Sequence, residues 1–292
     1  MKTHLECIPC FLRQVLEALD MSTNDEDIRE KTLREVMSYF LREKWNKNTP
    51  ELGTNVHRIV KRITGNSDPY EKLKEKYNRL ALDLYPKLKQ IVKSSEDPLL
   101  TAAKIAVSGN AIDFGPRTEI DIEKELQNVL QQGLAISDID QLEDSALRTK
   151  KILYLADNAG ETFLDRILIE ELVKREVKVT YVVKDAAILN DATFQDAEIS
   201  GVAQVARIIS TGTDCMGILF NECSDEFLKE FKMSELVISK GQGNYESLND
   251  TLNKEIFYLL KIKCPLIAEN IGYNVGSLVL KRCFNKCVTT ET

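Results

Sequence analysis

The sequence contains few of the residues on which several common enzyme classes depend. Only two of its 292 residues are histidines, and no segment has the ~20 consecutive apolar residues of a membrane span. The first residues also lack the long apolar core of a secretory signal. We therefore expect a cytoplasmic protein without membrane contact, in which a carboxylate or a metal-bound water would act as general base. His57 lies at helical spacing from Val60, which favours a surface or core position over catalysis.

The charge balance and the absent motifs exclude further classes. A net charge of −7 and a pI near 5.2 disfavour a nucleic-acid backbone or an anionic membrane surface as partner. The sequence has neither the P-loop pattern G-x-x-x-x-G-K-[ST] nor the dinucleotide pattern G-x-G-x-x-G, and it lacks the G-x-S-x-G elbow. Enzymes of nucleoside triphosphates, dinucleotides and acyl transfer are accordingly disfavoured.

Seven cysteines are an odd number in a chain too large to need disulfide staples, so we expect reduced thiols. Cys7 and Cys10 have the spacing of metal ligands or of a redox pair, and Cys283 and Cys287 form a looser pair. If the two termini met in space, the four thiolates could bind zinc or a cluster. We favour the other interpretation, in which Cys10 is an ordinary buried residue of an amphipathic helix.

Residues 1–105 are predicted to form a helical domain. Apolar residues recur there at three- and four-residue steps within 5–19, 28–41, 56–63 and 73–91. A polar cluster ending at Asp25 can cap the second helix, and Gly65 ends the third. Pro86 is expected to kink the fourth helix or to split it in two.

Residues 106–292 are predicted to form an α/β domain. From Lys151 onward, short β-rich runs alternate with helical patterns, which is typical of a parallel sheet with crossover helices. The predicted strands cover 152–156, 177–183, 207–210, 236–239, a run within 256–262, and 277–280.

The segment Asp157-Asn158-Ala159-Gly160-Glu161 follows the first of these strands. Ligands of open α/β sheets bind at the carboxyl ends of the strands, so Asp157 and Asn158 would face a substrate there. Their oxygens are hard donors suited to divalent ions such as magnesium and manganese. A helix starting near Gly160 would also point unpaired N–H groups at an anion. The segment predicts a metal-assisted reaction on a phosphorylated compound.

Two further strand ends carry candidate residues. Asp191 could be a second carboxylate facing Asp157, although it could equally cap a helix, and Asp185 competes for the same position. Lys240 ends a buried strand before two glycines and is predicted to place its charge against a phosphate. The alternative for Lys240 is a solvent-exposed lysine in a turn. The segment 108–115 is either an ordinary turn or presents Asn110 and Asp113 to a ligand.

Together these motifs resemble the DUF89 proteins, also called damage-control phosphatases. The resemblance rests on 157–161, 188–193, 240–246, 109–113 and the early Cys7-Ile8-Pro9-Cys10, and it spans nearly the whole chain. It implies a three-layer α/β/α sandwich, with a mostly parallel Rossmann-like sheet and an added N-terminal helical domain. It also implies a metal-dependent phosphatase acting on phosphorylated metabolites, such as sugar phosphates or damaged and surplus cofactor precursors.

Carried over by motif, the resemblance implies that Asp157, Asn158 and Asp191 bind a divalent ion and that Lys240 contacts the phosphate. The ion would be magnesium, manganese, cobalt or nickel. Substrate contacts implied less strongly by the same motifs are Glu161, Asn110, Asp113 and Asn244. The nucleophile could be Asp157 or a metal-bound water. A sugar-phosphate isomerase or aldolase and a non-catalytic phosphometabolite-binding protein remain alternatives, and the oligomeric state is undetermined.

Overall fold

The computed structural model describes residues 1–111 and 133–284, and for residues 110 and 111 it describes the backbone alone. The helices of the first part are α1 (Cys7–Ser22), α2 (Glu26–Arg42), α3 (Thr49–Thr64), α4 (Glu71–Ser94) and α5 (Pro98–Ala111). Those of the second part are α6 (Ile139–Thr149), α7 (Thr162–Lys174), α8 (Phe194–Ile199), α9 (Asp225–Met233), α10 (Gln242–Leu248) and α11 (Pro265–Ile271). No helix of these ranges is both long enough and apolar enough to cross a membrane.

Local signals place the ends of the first helices as the sequence predicts. The side chain of Asp25 accepts hydrogen bonds from the backbone amides of Asp27 and Ile28, so it caps α2. Gly65 adopts a left-handed φ of 71° and ends α3. Of the two effects expected of Pro86, the split is wrong, because α4 continues through this residue, and the kink stays a prediction.

Helices α1 to α3 pack around one apolar cluster. Its buried members include Phe11, Val15, Phe40, Leu52 and Val60. Four apolar residues of the predicted stripes lie outside this core, since Leu5, Leu16, Met37 and Leu41 are exposed. Periodicity located the helices correctly but not every residue of their buried faces.

Seven strands form one sheet. They are β1 (Ile136–Ser137), β2 (Lys151–Leu155), β3 (Lys178–Val183), β4 (Arg207–Ser210), β5 (Leu236–Lys240), β6 (Glu255–Lys261) and β7 (Leu278–Phe284). The spatial order is β1-β7-β6-β5-β2-β3-β4, and all neighbours are parallel except β6 and β7. The predicted strands are confirmed with shifted ends. The two-residue β1 is too short for a sequence pattern, and β7 runs four residues further than predicted.

Helices cover both faces of the sheet, as the implied sandwich requires. Alternating side chains of β2 point to opposite faces. Tyr154 joins a cluster that includes residues of α4, α5, α6 and α7, whereas Leu153 and Leu155 join a second cluster with residues of α9, α10 and α11. Helices α4 and α5 therefore pack on the sheet. The domain boundary at residue 105 stays a prediction.

Candidate active site

The candidate site lies where the strand order of the sheet reverses. From β2 the chain proceeds through β3 to β4 on one side, and it then places β5 on the other side of β2. Such a switch point opens a crevice at the carboxyl ends of the two strands. Leu155 of β2 lies beside Ser239 of β5, so the residues that follow them enter the crevice together. These are Asp157 and Asn158 after β2, and Lys240 at the end of β5.

Backbone pairing brings Asp191 to the same place. Asn158 and Asp191 form an isolated antiparallel bridge, and the amide of Ala192 donates to the carbonyl of Asp157 over 2.8 Å. Asp191 is only 8% exposed. The structure thus brings together the three residues that the resemblance implies as metal ligands.

Hydrogen bonds determine which way the Asn158 carboxamide faces. Its Nδ2 donates to Oδ2 of Asp157 over 3.0 Å and to Oε1 of Glu161 over 2.7 Å. Ionised carboxylates accept hydrogen bonds and cannot donate them, so the NH₂ group must face these two neighbours. The Oδ1 atom of Asn158 is then the end of the carboxamide opposite these two carboxylates.

Lys240 is completely buried and is held between two carboxylates. Its Nζ donates to Oε2 of Glu161 over 2.7 Å and to Oδ1 of Asp165 over 2.6 Å. Burial alone would lower the pKa of Lys240, but the charges of Asp165 and Glu161 outweigh that effect and raise the pKa above its ordinary value. The alternative of a solvent-exposed lysine is therefore wrong. The contact with a phosphate stays a prediction.

The ionised forms of Asp157 and Asp191 are unfavourable in this site, and a bound cation would stabilise them. Burial raises the pKa of Asp157 well above its ordinary value, and the charges of Glu161 and Asp191 add to the effect. Burial also raises the pKa of Asp191 to about 6, although Lys184 and Lys74 oppose it. Buried charges in proteins are normally paired or bound to metal, so a divalent ion fits this position.

The donor set itself suits a magnesium-type ion. Such ions take one or two carboxylates and keep several waters or substrate oxygens. Within the described ranges, no group of three His, Cys, Asp or Glu side chains could hold a metal ion. The proposed set accordingly depends on the amide oxygen of Asn158 and on oxygens from outside the protein. Asp185, the competing ligand, is exposed and accepts a hydrogen bond from Ser210.

Asn244 contacts the site from α10. Its Nδ2 donates to the carbonyls of Ala156 and Lys240, each over 2.9 Å, and so ties the ends of β2 and β5 together. Its Oδ1 is buried without a hydrogen-bond partner in the described part of the chain. An unpaired acceptor beside the metal ligands is consistent with the predicted role in substrate binding.

The segment after α5 can be located only in part. A Cβ atom on Gly109 would lie 2.9 Å from Cγ of Glu161, so the last turn of α5 borders the site. Residues 108–111 belong to this helix, which corrects the expected turn at that point. The side chain of Asn110 and all of Asp113 lie outside the described residues.

Two charged residues near the site, Lys184 and Asp165, were given no role from the sequence, although Lys184 was expected at a strand end facing the site. Lys184 directly follows β3, and its Nζ lies 3.7 Å from Oδ2 of Asp191 while donating to the carbonyl of Gly217. Its position after a strand, like that of Lys240, was an available signal. Asp165 lies one helical turn after Glu161, a spacing that places both on one face of a helix.

A second charged cluster joins α3 to the segment after β4. Arg58 donates from Nε and Nη2 to Oδ1 of Asp214 over 3.0 and 2.6 Å, and from Nη2 to Glu222 over 2.7 Å. Lys61 donates to Oδ2 of Asp214 over 2.6 Å and to the carbonyl of Ala187 over 2.9 Å. Burial alone would raise the pKa of Asp214, but the two cations outweigh it and lower the pKa. Asp214 therefore connects helix and sheet.

A cleft of about 480 Å³ opens beside this cluster. It is lined by Lys61, Arg62, Gly65, Ser67, Asp68, Ala186 and Ala187. The last two residues precede Asp191 on the same loop, and Asp68 pairs with Lys74 over 2.5 Å. Lys74 is also one of the charges that act on Asp191. The cleft and the carboxylate site are therefore neighbours.

Cys7 and Cys10 lie on α1, and His57 lies on α3 beside Arg58. Cys10 is exposed, so its expected burial in α1 is wrong, and Cys287 lies outside the described residues. Partial burial raises the pKa of the Cys7 thiol, and Glu246 and Cys264 add to the effect. His57 is buried in the helical core with its ring edge against Tyr70, which confirms a core position.

The chain is similar to known proteins over nearly its whole length. The family model of the damage-control phosphatase ARMT1-like domain matches residues 3–279. A damage-control phosphatase of Archaeoglobus fulgidus is 35% identical over 288 residues, which covers 96% of this chain and 99% of that protein. An uncharacterised protein of Methanocaldococcus jannaschii is 42% identical over 286 residues, covering 94% of this chain and 93% of that protein.

A solved structure supports the same relationship. The crystal structure of a DUF89 family protein from Pyrococcus horikoshii superimposes with a TM-score of 0.88 at 32% identity. The match covers 97% of this chain and 99% of that one. The similarity extends over the sheet and the N-terminal helices alike.

Proposed function

The chain belongs to the ARMT1-like family of damage-control phosphatases, and on that premise we propose that it hydrolyses phosphomonoesters of small metabolites with a divalent metal ion as cofactor. The observation that supports this most directly is the convergence of one buried carboxylate, one half-buried carboxylate and one oriented amide at the switch point of the sheet. Asp157, Asn158 and Asp191 would hold the ion. When bound, the ion supplies positive charge that polarises a phosphate oxygen and offsets charge developing in the transition state.

The protein's own residues would bind and orient the phosphate. Lys240 uses two of its three N–H donors on Glu161 and Asp165, and because its side chain has no exposed surface, a phosphate oxygen would reach the third only after a local rearrangement. Lys184 provides a second buried ammonium beside Asp191. If both ammonium groups contacted one phosphate, they would neutralise much of the charge of a monoester dianion.

The cleft beside the site supports a small substrate. Its volume of about 480 Å³ is that of a small-molecule site, although the cleft is shallow and open to solvent. Arg62 is well exposed there and lies 3.9 Å from Glu35, so its guanidinium can turn toward a polar ligand. The part of the metabolite beyond the phosphate would occupy this cleft.

The test is release of inorganic phosphate from a panel of phosphorylated metabolites with magnesium, manganese, cobalt or nickel. We expect metal-dependent release by the wild type and none by Asp157→Ala with the fold retained. Asp185→Ala is the matched control, because it removes an exposed carboxylate from the neighbouring loop. Unchanged turnover by Asp157→Ala would overturn the site. Binding or isomerisation of the panel without phosphate release would indicate the alternative functions.

A further inference from the structure

The side chain of Asp165 is a buried carboxylate that accepts three hydrogen bonds. It lies on α7 with no exposed surface. Its Oδ1 accepts from Nζ of Lys240 over 2.6 Å and from the hydroxyl of Tyr154 over 2.7 Å, and its Oδ2 accepts from the hydroxyl of Tyr181 over 2.8 Å. Three donors on one carboxylate hold it in a single position.

From Asp165 a continuous chain of hydrogen bonds leads to the proposed metal ligands. Lys240 donates to Asp165 and to Oε2 of Glu161. The other oxygen of that carboxylate, Oε1, accepts from Nδ2 of Asn158, which also donates to Asp157. Each group in the chain has its orientation set by the one before it.

We propose that Asp165 is a positioning residue for the metal site, acting through Lys240 and Glu161 on the carboxamide of Asn158. Asp165 draws Lys240 toward α7, and the ammonium then holds Glu161 where one oxygen remains for Asn158. This arrangement keeps the NH₂ group of Asn158 turned away from the cation and its oxygen turned toward it. The inference rests on the metal site of the proposed function but not on the reaction.

The negative charge of Asp165 explains why an asparagine at position 165 would not hold Lys240 in the same way. Lys240 carries one positive charge between two buried carboxylates, so it is shared between them. If Asp165 were neutral, Lys240 would pair with Glu161 alone and would compete with Asn158 for that carboxylate. Outer partners of metal ligands commonly change metal affinity about 10- to 100-fold when they are mutated.

The experiment measures manganese affinity of the purified full-length protein by isothermal titration calorimetry. We expect Asp165→Asn to bind Mn²⁺ about 10- to 100-fold more weakly than the wild type. Because the effect passes through Lys240, Asp165→Asn should cause little further loss in a Lys240→Met background. Tyr258→Phe is the control, since it removes a buried tyrosine hydroxyl on the other face of the sheet.

If Asp165 only stabilised the fold, the Mn²⁺ affinities of its variants would follow a different pattern. Equal Mn²⁺ affinity of Asp165→Asn and wild type, or losses that add in the double variant, would overturn the proposal. If Asp165→Asn does not fold, Tyr181→Phe carries the test, with an expected loss of roughly two- to tenfold for one hydrogen bond. Unchanged affinity of Tyr181→Phe would then refute it.

The two proposals can fail separately. A wild-type protein that binds Mn²⁺ but releases no phosphate from any substrate contradicts the proposed function and leaves the positioning role to be decided by the calorimetry. A wild-type protein that binds no divalent ion overturns both.

Discussion

A Cβ atom placed on Gly241 would lie 2.1 Å from Oδ2 of Asp157. The two residues follow adjacent parallel strands, so the backbone after β5 passes directly over the carboxylate after β2. Gly241 also has φ 78° and ψ 167°, a conformation that is essentially restricted to glycine. Contact between the backbone and a proposed metal ligand therefore requires a residue without a side chain.

Gly241→Ala should consequently damage both the fold and the metal site. The backbone conformation alone costs about 1–3 kcal/mol for a residue with a Cβ atom, and the overlap must push Asp157 aside. We expect a lower free energy of unfolding in urea and weaker Mn²⁺ binding by calorimetry. Gly243→Ala is the control, because the nearest atom to its Cβ would be 3.7 Å away and the position is helical. Equal behaviour of the two variants would contradict the assignment.

Metal binding should stabilise the folded protein through Asp191. A ligand that binds only the folded state adds about 2.7 kcal/mol to stability at one hundred times its dissociation constant. We expect Mn²⁺ to raise the melting temperature of the wild type and to have little effect on Asp191→Asn. Asp185→Asn, which changes an exposed aspartate of the same loop, should respond like the wild type. If Asp185→Asn lost the response and Asp191→Asn kept it, the competing assignment of the ligand would be correct.

Local patterns in the sequence identified the candidate ligands but not the residues that hydrogen-bond to them. Asp157, Asn158 and Lys240 stand at strand ends, and strand ends can be recognised from short apolar runs. The partners of Lys240 could not be found this way, since Glu161 and Asp165 are more than seventy residues away along the chain. Their pairing depends on β2 and β5 being neighbours, which is a property of the sheet order.

Part of the sheet topology also could not be predicted from local sequence patterns. The parallel strands β2 to β5 were predicted because each alternates with a helical pattern. The antiparallel direction of β7 carries no local signature, and its pairing with β6 and β1 is determined only when the sheet assembles. The ion pairs between Arg58 and Asp214 likewise arise from tertiary packing.

Arg58→Met should destabilise the protein more than an equivalent change on the surface. Arg58 makes three charged hydrogen bonds to Asp214 and Glu222, and such bonds contribute about 1.5–3 kcal/mol each when partly buried. With side-chain solvent access taken into account, we expect a loss of about 2 kcal/mol by urea denaturation. Arg34→Met, which removes an exposed pair with Glu30, should cost less than about 0.5 kcal/mol. Equal losses would show that the contact between α3 and the sheet edge contributes little.

His57 should make the folded state sensitive to acid. Burial, together with the charge of Lys61, lowers the pKa of His57 to about 4 from 6.5, and its buried Nε2 has no partner in the described residues. Because the folded state resists protonation, this contribution to stability is complete above pH 6.5 and is lost as the pH falls toward 4. The loss amounts to about 3 kcal/mol. The difference in unfolding free energy between wild type and His57→Gln should therefore change across that interval, whereas His4→Gln, at an exposed histidine, should track the wild type. A constant difference for His57→Gln from pH 7 to pH 4 would show that His57 is protonated in the folded protein as readily as in the unfolded chain.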